Sequence, residues 1–215
     1  MNRSLGMISS VATFLAAAAF VIAAATKSGD AEGVWSILMS LGFLPLICSF
    51  AAHGRKDQQS FKFTAIGFCI VYVMFTSLIG FMGLAAGRLI KWQITDNTIT
   101  GITKLGRDYS LIADGFMMLA AFFIGFMIYG KKAADIWLKK LLMIQGLWAI
   151  PCFVLPFYHV FSEKSISDTV IRIIEIIPVG VMTGVISLLS YQYFKNQIRV
   201  YQKTVRESGK QGWFM

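Results

Sequence analysis

Three ionisable residues fall where ionisable residues are expensive. Asp114, Arg172 and Glu175 lie inside apolar stretches long enough to cross a bilayer. A charge at the bilayer centre costs about 2.5–3.5 kcal/mol on insertion scales, so such groups face protein or water and mark sites. Arg172 and Glu175 are i,i+3 neighbours on one helix face. At 1.5 Å per residue, all three lie roughly 5–10 Å below the same membrane boundary. Arg88 and His159 end two further apolar stretches on that side, and Tyr109 and Tyr158 border the group. Four helices therefore bring polar groups to one depth. The chemistry this suits is recognition: a polar pocket open to the outside, with Arg172 a fixed cation for which Asp114 and Glu175 compete. The competing reading is structural, an Arg172–Glu175 ion pair that tethers helices while Asp114 reaches the surface.

Other chemistries find no matching pattern. The chain has no phosphate-binding P-loop and no HExxH, which speaks against ATP chemistry and a zincin-type protease. Its two histidines, His53 and His159, belong to opposite membrane faces and do not ligate one haem together. No lysine sits at the centre of the last apolar stretch, so retinal is not expected. Asp114-Gly115 lacks the further acids of a two-metal site. Cys48, Cys69 and Cys152 are isolated within apolar runs, without CxxC spacing or clustered histidine, so neither a disulfide framework nor zinc is indicated. No cofactor or metal is expected, and an enzyme, for example one acting on lipids through Asp114, Glu175 or His159, stands behind two non-enzymatic readings. The first is recognition or passage of a small polar solute or lipid headgroup. The second is an accessory subunit packed against another membrane protein.

The elements that must position these residues follow from composition. Of 215 residues, 56% are apolar and 14% charged, with mean hydropathy +0.65. A soluble domain carries about 25% charged residues, so a polytopic membrane protein is expected, surrounded by lipid. A spanning helix needs about 20 mostly apolar residues, and six stretches qualify: 5–26, 33–52, 63–87, 109–130, 141–161 and 169–194. The first is longer than the apolar core of a signal peptide, about 7–15 residues, so a retained helix is expected. The fold class is all-α, a six-helix transmembrane bundle over residues 1–194, followed by a basic cytoplasmic tail, 195–215.

Thirteen of the 20 Lys and Arg flank one side of this arrangement and six the other, with Arg172 inside a span. By the positive-inside rule the richer side, carrying both termini, is cytoplasmic, and the membrane is a plasma or inner membrane. The net charge of +9 is explained by such loops, and nucleic acid is not an expected partner. The longest outer connection, 88–108, is rich in Thr and Ile with an Asp96-Asn97 turn signal, which suggests a short hairpin, a lid or a solvated connector. Gly83/Gly87 and Gly180/Gly184 are GxxxG pairs, marking contact faces within the chain or with a partner protein or second copy. Pro151 and Pro156 make the fifth span the best candidate for a kinked helix. Tyr191, Phe194, Ile198, Tyr201 and Val205 recur at helical steps among basic residues, so the last span continues as an amphipathic helix suited to anionic headgroups.

Overall fold

The computed structural model describes residues 3–26, 29–54, 56–91, 96–130, 132–162 and 168–211. These residues are helical almost throughout: α1 (Arg3–Ala25), α2 (Gly29–His53), a 3-10 turn (Lys56–Gln58), α3 (Gln59–Lys91), α4 (Asp96–Met127), α5 (Ala133–Leu147), α6 (Ala149–Ser162), α7 (Asp168–Ile174), a π-helical segment (Glu175–Met182) and α8 (Thr183–Gln211). Six helical spans are long and apolar enough to cross a membrane: Arg3–Ala25, Gly33–His53, Gln59–Gly83, Asp108–Met127, Ala133–Tyr158 and Arg172–Gln202. The chain is an all-α six-helix bundle and a multi-pass integral membrane protein.

Consecutive spans pack as neighbours, and α8 closes the ring by packing on α1. α4 also touches α2 across the ring, and its span is the most enclosed, 61% buried against 22% for that of α3. The α3–α4 pairing is the most extensive in the bundle. It is built on seven-residue spacing: Phe61, Phe68 and Phe75 on α3 face Tyr109, Phe116 and Phe123 on α4. Ring centroids stand 6.0 Å apart for Phe61–Phe123, 5.9 Å for Phe68–Phe116 and 5.9 Å for Phe75–Tyr109. A seven-residue apolar period keeps one seam facing a partner helix. Here it produces an antiparallel aromatic ladder.

α1 is joined through small side chains instead. Its buried face is Gly6, Ser9, Ser10, Thr13, Ala16, Ala17, Phe20, Ala23 and Ala24. At Gly42 of α2 an added Cβ would lie 2.9 Å from Thr13 Oγ1 and 3.2 Å from the Thr13 backbone nitrogen. The two backbones are thus in near contact, which is how helices associate where lipid supplies no hydrophobic drive. Of the GxxxG pairs, Gly184 packs towards Ala17 and Phe14 of α1, whereas Gly83 is exposed with no atom close to it.

At the end where α1 begins, polar bonds join α1, α2 and α8. The His53 Nδ1–H donates to the Ser49 carbonyl at 2.7 Å, because a carbonyl can only accept. His53 Nε2 is therefore the acceptor, and Arg3 Nε donates to it at 3.3 Å. A second Arg3 donor reaches the Gln197 carbonyl at 3.3 Å, and the guanidinium lies 4.6 Å from the Tyr201 ring centroid.

Two expectations change. The connection 88–108 is not an extended hairpin where it is described: α3 runs on to Lys91 and Asp96 opens α4, so only 92–95 lie outside the described residues. Helix α3 is roughly 50 Å long at 1.5 Å per residue, against a hydrocarbon core of about 30 Å. Helix α3 is therefore longer than a span requires, and the Thr- and Ile-rich stretch opening α4 is helical despite its β preference. The basic 131–140 segment is likewise mostly helix, since α5 starts at Ala133. The fifth span does break, at Trp148, where Cys152 N reaches Trp148 O at a long 3.4 Å. Pro151 lies just beyond, without the N–H that would hold Leu147.

Candidate functional site

Of the polar residues expected on one level, the side chains of Arg172, Asp114, Tyr109 and Tyr158 are described. Arg172 is half-buried and donates from Nη1 to the Ala24 carbonyl at 3.0 Å. It thereby caps the last turn of α1, where carbonyls lack helical partners and a cation is favoured. Asp114 is 5% exposed and lies within electrostatic reach of the Tyr72 hydroxyl on α3. Tyr109 is the end rung of the aromatic ladder, and Tyr158 is 53% exposed on α6. The backbones of Arg88 and His159 belong to α3 and α6, and Glu175 opens the π-helical segment. Their side chains lie outside the described residues, so their part in an outer pocket remains an expectation.

Two further buried polar clusters lie nearer the middle of the spans. Tyr72 is fully buried near the midpoint of Gln59–Gly83, and Phe43 of α2 meets it edge-on at 6.2 Å. Thr76 and Asp114 are polar neighbours of its hydroxyl, which makes no hydrogen bond of good geometry. Thr76 itself donates to the Tyr72 carbonyl at 2.9 Å.

Gln145, also fully buried, sits near the midpoint of Ala133–Tyr158. Its Nε2 donates to the Pro178 carbonyl at 2.8 Å and to Thr183 Oγ1 at 2.8 Å. These partners are five residues apart. In an α-helix, residue i+5 points about 140° away from residue i. In a π-helix, i and i+5 are hydrogen-bonding neighbours. One carboxamide thus grips both ends of a π turn, and holds the segment Glu175–Met182 in that register. Pro178 is the local reason for the irregularity, since it has no N–H to donate up the helix. The Gln145 Oε1 atom has no hydrogen-bond partner.

Comparison of the chain with family models, curated proteins and solved structures finds no match. What the site does must therefore be argued from its own groups. It comprises two separate buried polar clusters, Tyr72 with Thr76 and Asp114 between α3 and α4, and Gln145 with Pro178 and Thr183 at the π-helical segment. Among the described residues no group of His, Cys, Asp and Glu has the proximity to hold a metal ion.

A search restricted to charge passes over Gln145, Tyr72, Thr76 and Thr183. Gln145 is nevertheless readable. It is a carboxamide in the run Leu141-Leu142-Met143-Ile144-Gln145-Gly146-Leu147, and a polar amide there must find partners on another helix. Tyr72 carries no such signal, because a tyrosine in a span is common at its ends and only the tertiary structure places this one centrally.

Proposed function

We propose that this integral membrane protein recognises or passes a small polar solute or lipid headgroup, without covalent chemistry. The solute enters from the outer side, past Arg172, Glu175, Arg88 and His159, reaches Asp114 and Tyr72, and passes on to Gln145, which packs more than two helical turns further along α4. One observation carries the reading: the fully buried Gln145 carboxamide leaves an oxygen unpartnered halfway across the span, beside an eight-residue π-helical segment. An unpaired polar group costs roughly 2–7 kcal/mol in an apolar medium. Irregular helix at membrane depth is tolerated where it is buried in protein or lines a cavity. Broken helices at the midplane are also how many transporters build their sites. A polar solute passing this level would supply the partner that the oxygen lacks.

Reconstitution tests this. Liposomes carrying the full-length protein are mixed rapidly with glycerol, erythritol or amino acids, and solute entry is followed by light scattering. Entry faster than in protein-free liposomes for at least one solute, slowed by Gln145→Leu, is expected. Rates equal to those of empty liposomes across the set, with no melting response to the same solutes, would refute the reading.

A further inference from the structure

We infer that Arg3 and His53 form a proton-sensitive latch, which holds the first turn of α1 to α2 and opens when the imidazole becomes charged. The latch does not rest on the polar-solute reading. Its two contacts define the protonation state. The Ser49 carbonyl, 2.7 Å from His53 Nδ1, can only accept, so the ring hydrogen is on Nδ1. Arg3 Nε, 3.3 Å from His53 Nε2, can only donate. The bond between them therefore requires a neutral ring. A second proton would go to Nε2, the one acceptor the ring has, and would set N–H against N–H and cation against cation. The bond to Ser49 survives that step. The charged ring stays on α2, and Arg3 must leave.

The surroundings favour that departure. Arg3 has another seat on α8, where Nη1 donates to the Gln197 carbonyl at 3.3 Å and the guanidinium lies 4.6 Å from the Tyr201 ring centroid. From α8 the Phe194 ring meets His53 edge-on at 5.6 Å, and the adjacent Tyr193 phenol lies within electrostatic reach of Arg3. From α3 comes a second cation, Lys62, whose Nζ donates to the carbonyl of the neighbouring Gly54 at 2.7 Å. From α4 the uncharged Met127 lies near Gly54. The acids at this end are Asp57, in the 3-10 turn, and Asp135 on α5, within electrostatic reach of Tyr193. His53 itself closes the last turn of α2, where the helix dipole favours a cation. The dipole thus holds a charged ring in place and does nothing to keep Arg3 beside it. Imidazole is the side chain that gains its charge between about pH 5 and 8. Acid on the side of the termini therefore shifts the tie of the first turn of α1 from α2 and α8 to α8 alone.

The test is a distance measurement by double electron–electron resonance on the full-length protein in lipid nanodiscs, with Cys48, Cys69 and Cys152 replaced. Nitroxides are placed through Ser4→Cys on α1 and Phe63→Cys on α3, both exposed positions. Nanodiscs open both faces to the buffer, so the result does not depend on membrane orientation. At about pH 8 a single narrow distribution is expected, and at about pH 5.5 one that is broader and longer by several ångströms, with full return at pH 8. His53→Gln keeps an acceptor for Arg3 that cannot charge, and should stay narrow at both pH values. Arg3→Gln removes the opposing cation, and its distribution should not change with pH. It leaves α2 untouched, so it decides the matter even if His53→Gln does not fold. Identical wild-type distributions at the two pH values overturn the latch. So does a broadening as large as that of wild type in either variant, since another group is then titrating. A change that does not reverse at pH 8 is unfolding, and overturns it too.

Discussion

Gln145 and Tyr72 are both fully buried, yet their removal should have opposite consequences for stability. Gln145 supplies two hydrogen bonds that nothing else on its helix replaces. Gln145→Leu strands the Pro178 carbonyl, and an unsatisfied buried group costs about 1–3 kcal/mol. The Tyr72 hydroxyl makes no good hydrogen bond, so Tyr72→Phe should lie within about 1 kcal/mol of wild type or above it, since replacing a poorly paired polar group is close to neutral. Unfolding in detergent, followed by circular dichroism, checks the pair. A Gln145→Leu protein as stable as wild type would show that the π register does not depend on this clamp. Arg172 belongs to the same scale: its bond to Ala24 gives it a capping role whatever it contributes to an outer pocket.

Between elements, two kinds of seam hold the bundle. The α3–α4 seam interleaves large rings, and tolerates modest changes because several rungs share the contact. The α1–α2 seam depends on absent side chains, and is intolerant. Gly42→Leu would drive a side chain into Thr13, whose backbone nitrogen an added Cβ would already approach to 3.2 Å. Because backbone rather than a flexible tip stands in the way, the helices must separate, at a cost of about 1–3 kcal/mol. The expected result is a lower melting midpoint and protease sensitivity at the Arg3–His53 contact, which the same pair of helices carries. Unchanged melting would mean that α1 is held by α8 and the π-helical segment rather than by α2. Phe61, Phe68 and Phe75 form a seven-residue series along the chain, a periodic mark of a shared face. Gly42 has no such mark, since nothing in the adjacent Leu41 and Phe43 distinguishes a glycine at a helix contact from one facing lipid.

For the whole molecule, the consequence to test is orientation. Thirteen of 20 basic residues on the side of both termini predict a cytoplasmic location for that side. With Cys48, Cys69 and Cys152 replaced, a single cysteine at Gln59 or Ser208 should resist an impermeant thiol reagent in intact cells, and one at Asn97 should react. Asn97 lies in the first turn of α4, in the part projecting past the span Asp108–Met127. Labelling of Ser208 without lysis would reverse the topology. The same reversal would turn the approach at Arg172 towards the cytoplasm, so this experiment also decides from which side a solute arrives. At the terminal end, α8 continues unbroken from Thr183 to Gln211, so the basic tail begins as an extension of a spanning helix.

Six spans, the all-α class and the break near Pro151 are legible in the sequence, because each depends on a local property: apolar length, charge density, a missing N–H. The ionisable residues are legible for the same reason, since the cost of a charge in lipid needs no knowledge of neighbours. Their company is not. That Arg172 meets the end of α1 depends on how the last span packs against α1, and that Tyr72 meets Asp114 depends on how α3 packs against α4. The π-helical register is the clearest case. Pro178 announces that something must yield, but an α-helix with a proline can kink, break or widen. Only a carboxamide arriving from another span, with two hydrogens set to bridge residues 178 and 183, selects the widened turn. That choice is made by geometry between helices distant in sequence, and so belongs to the tertiary structure alone.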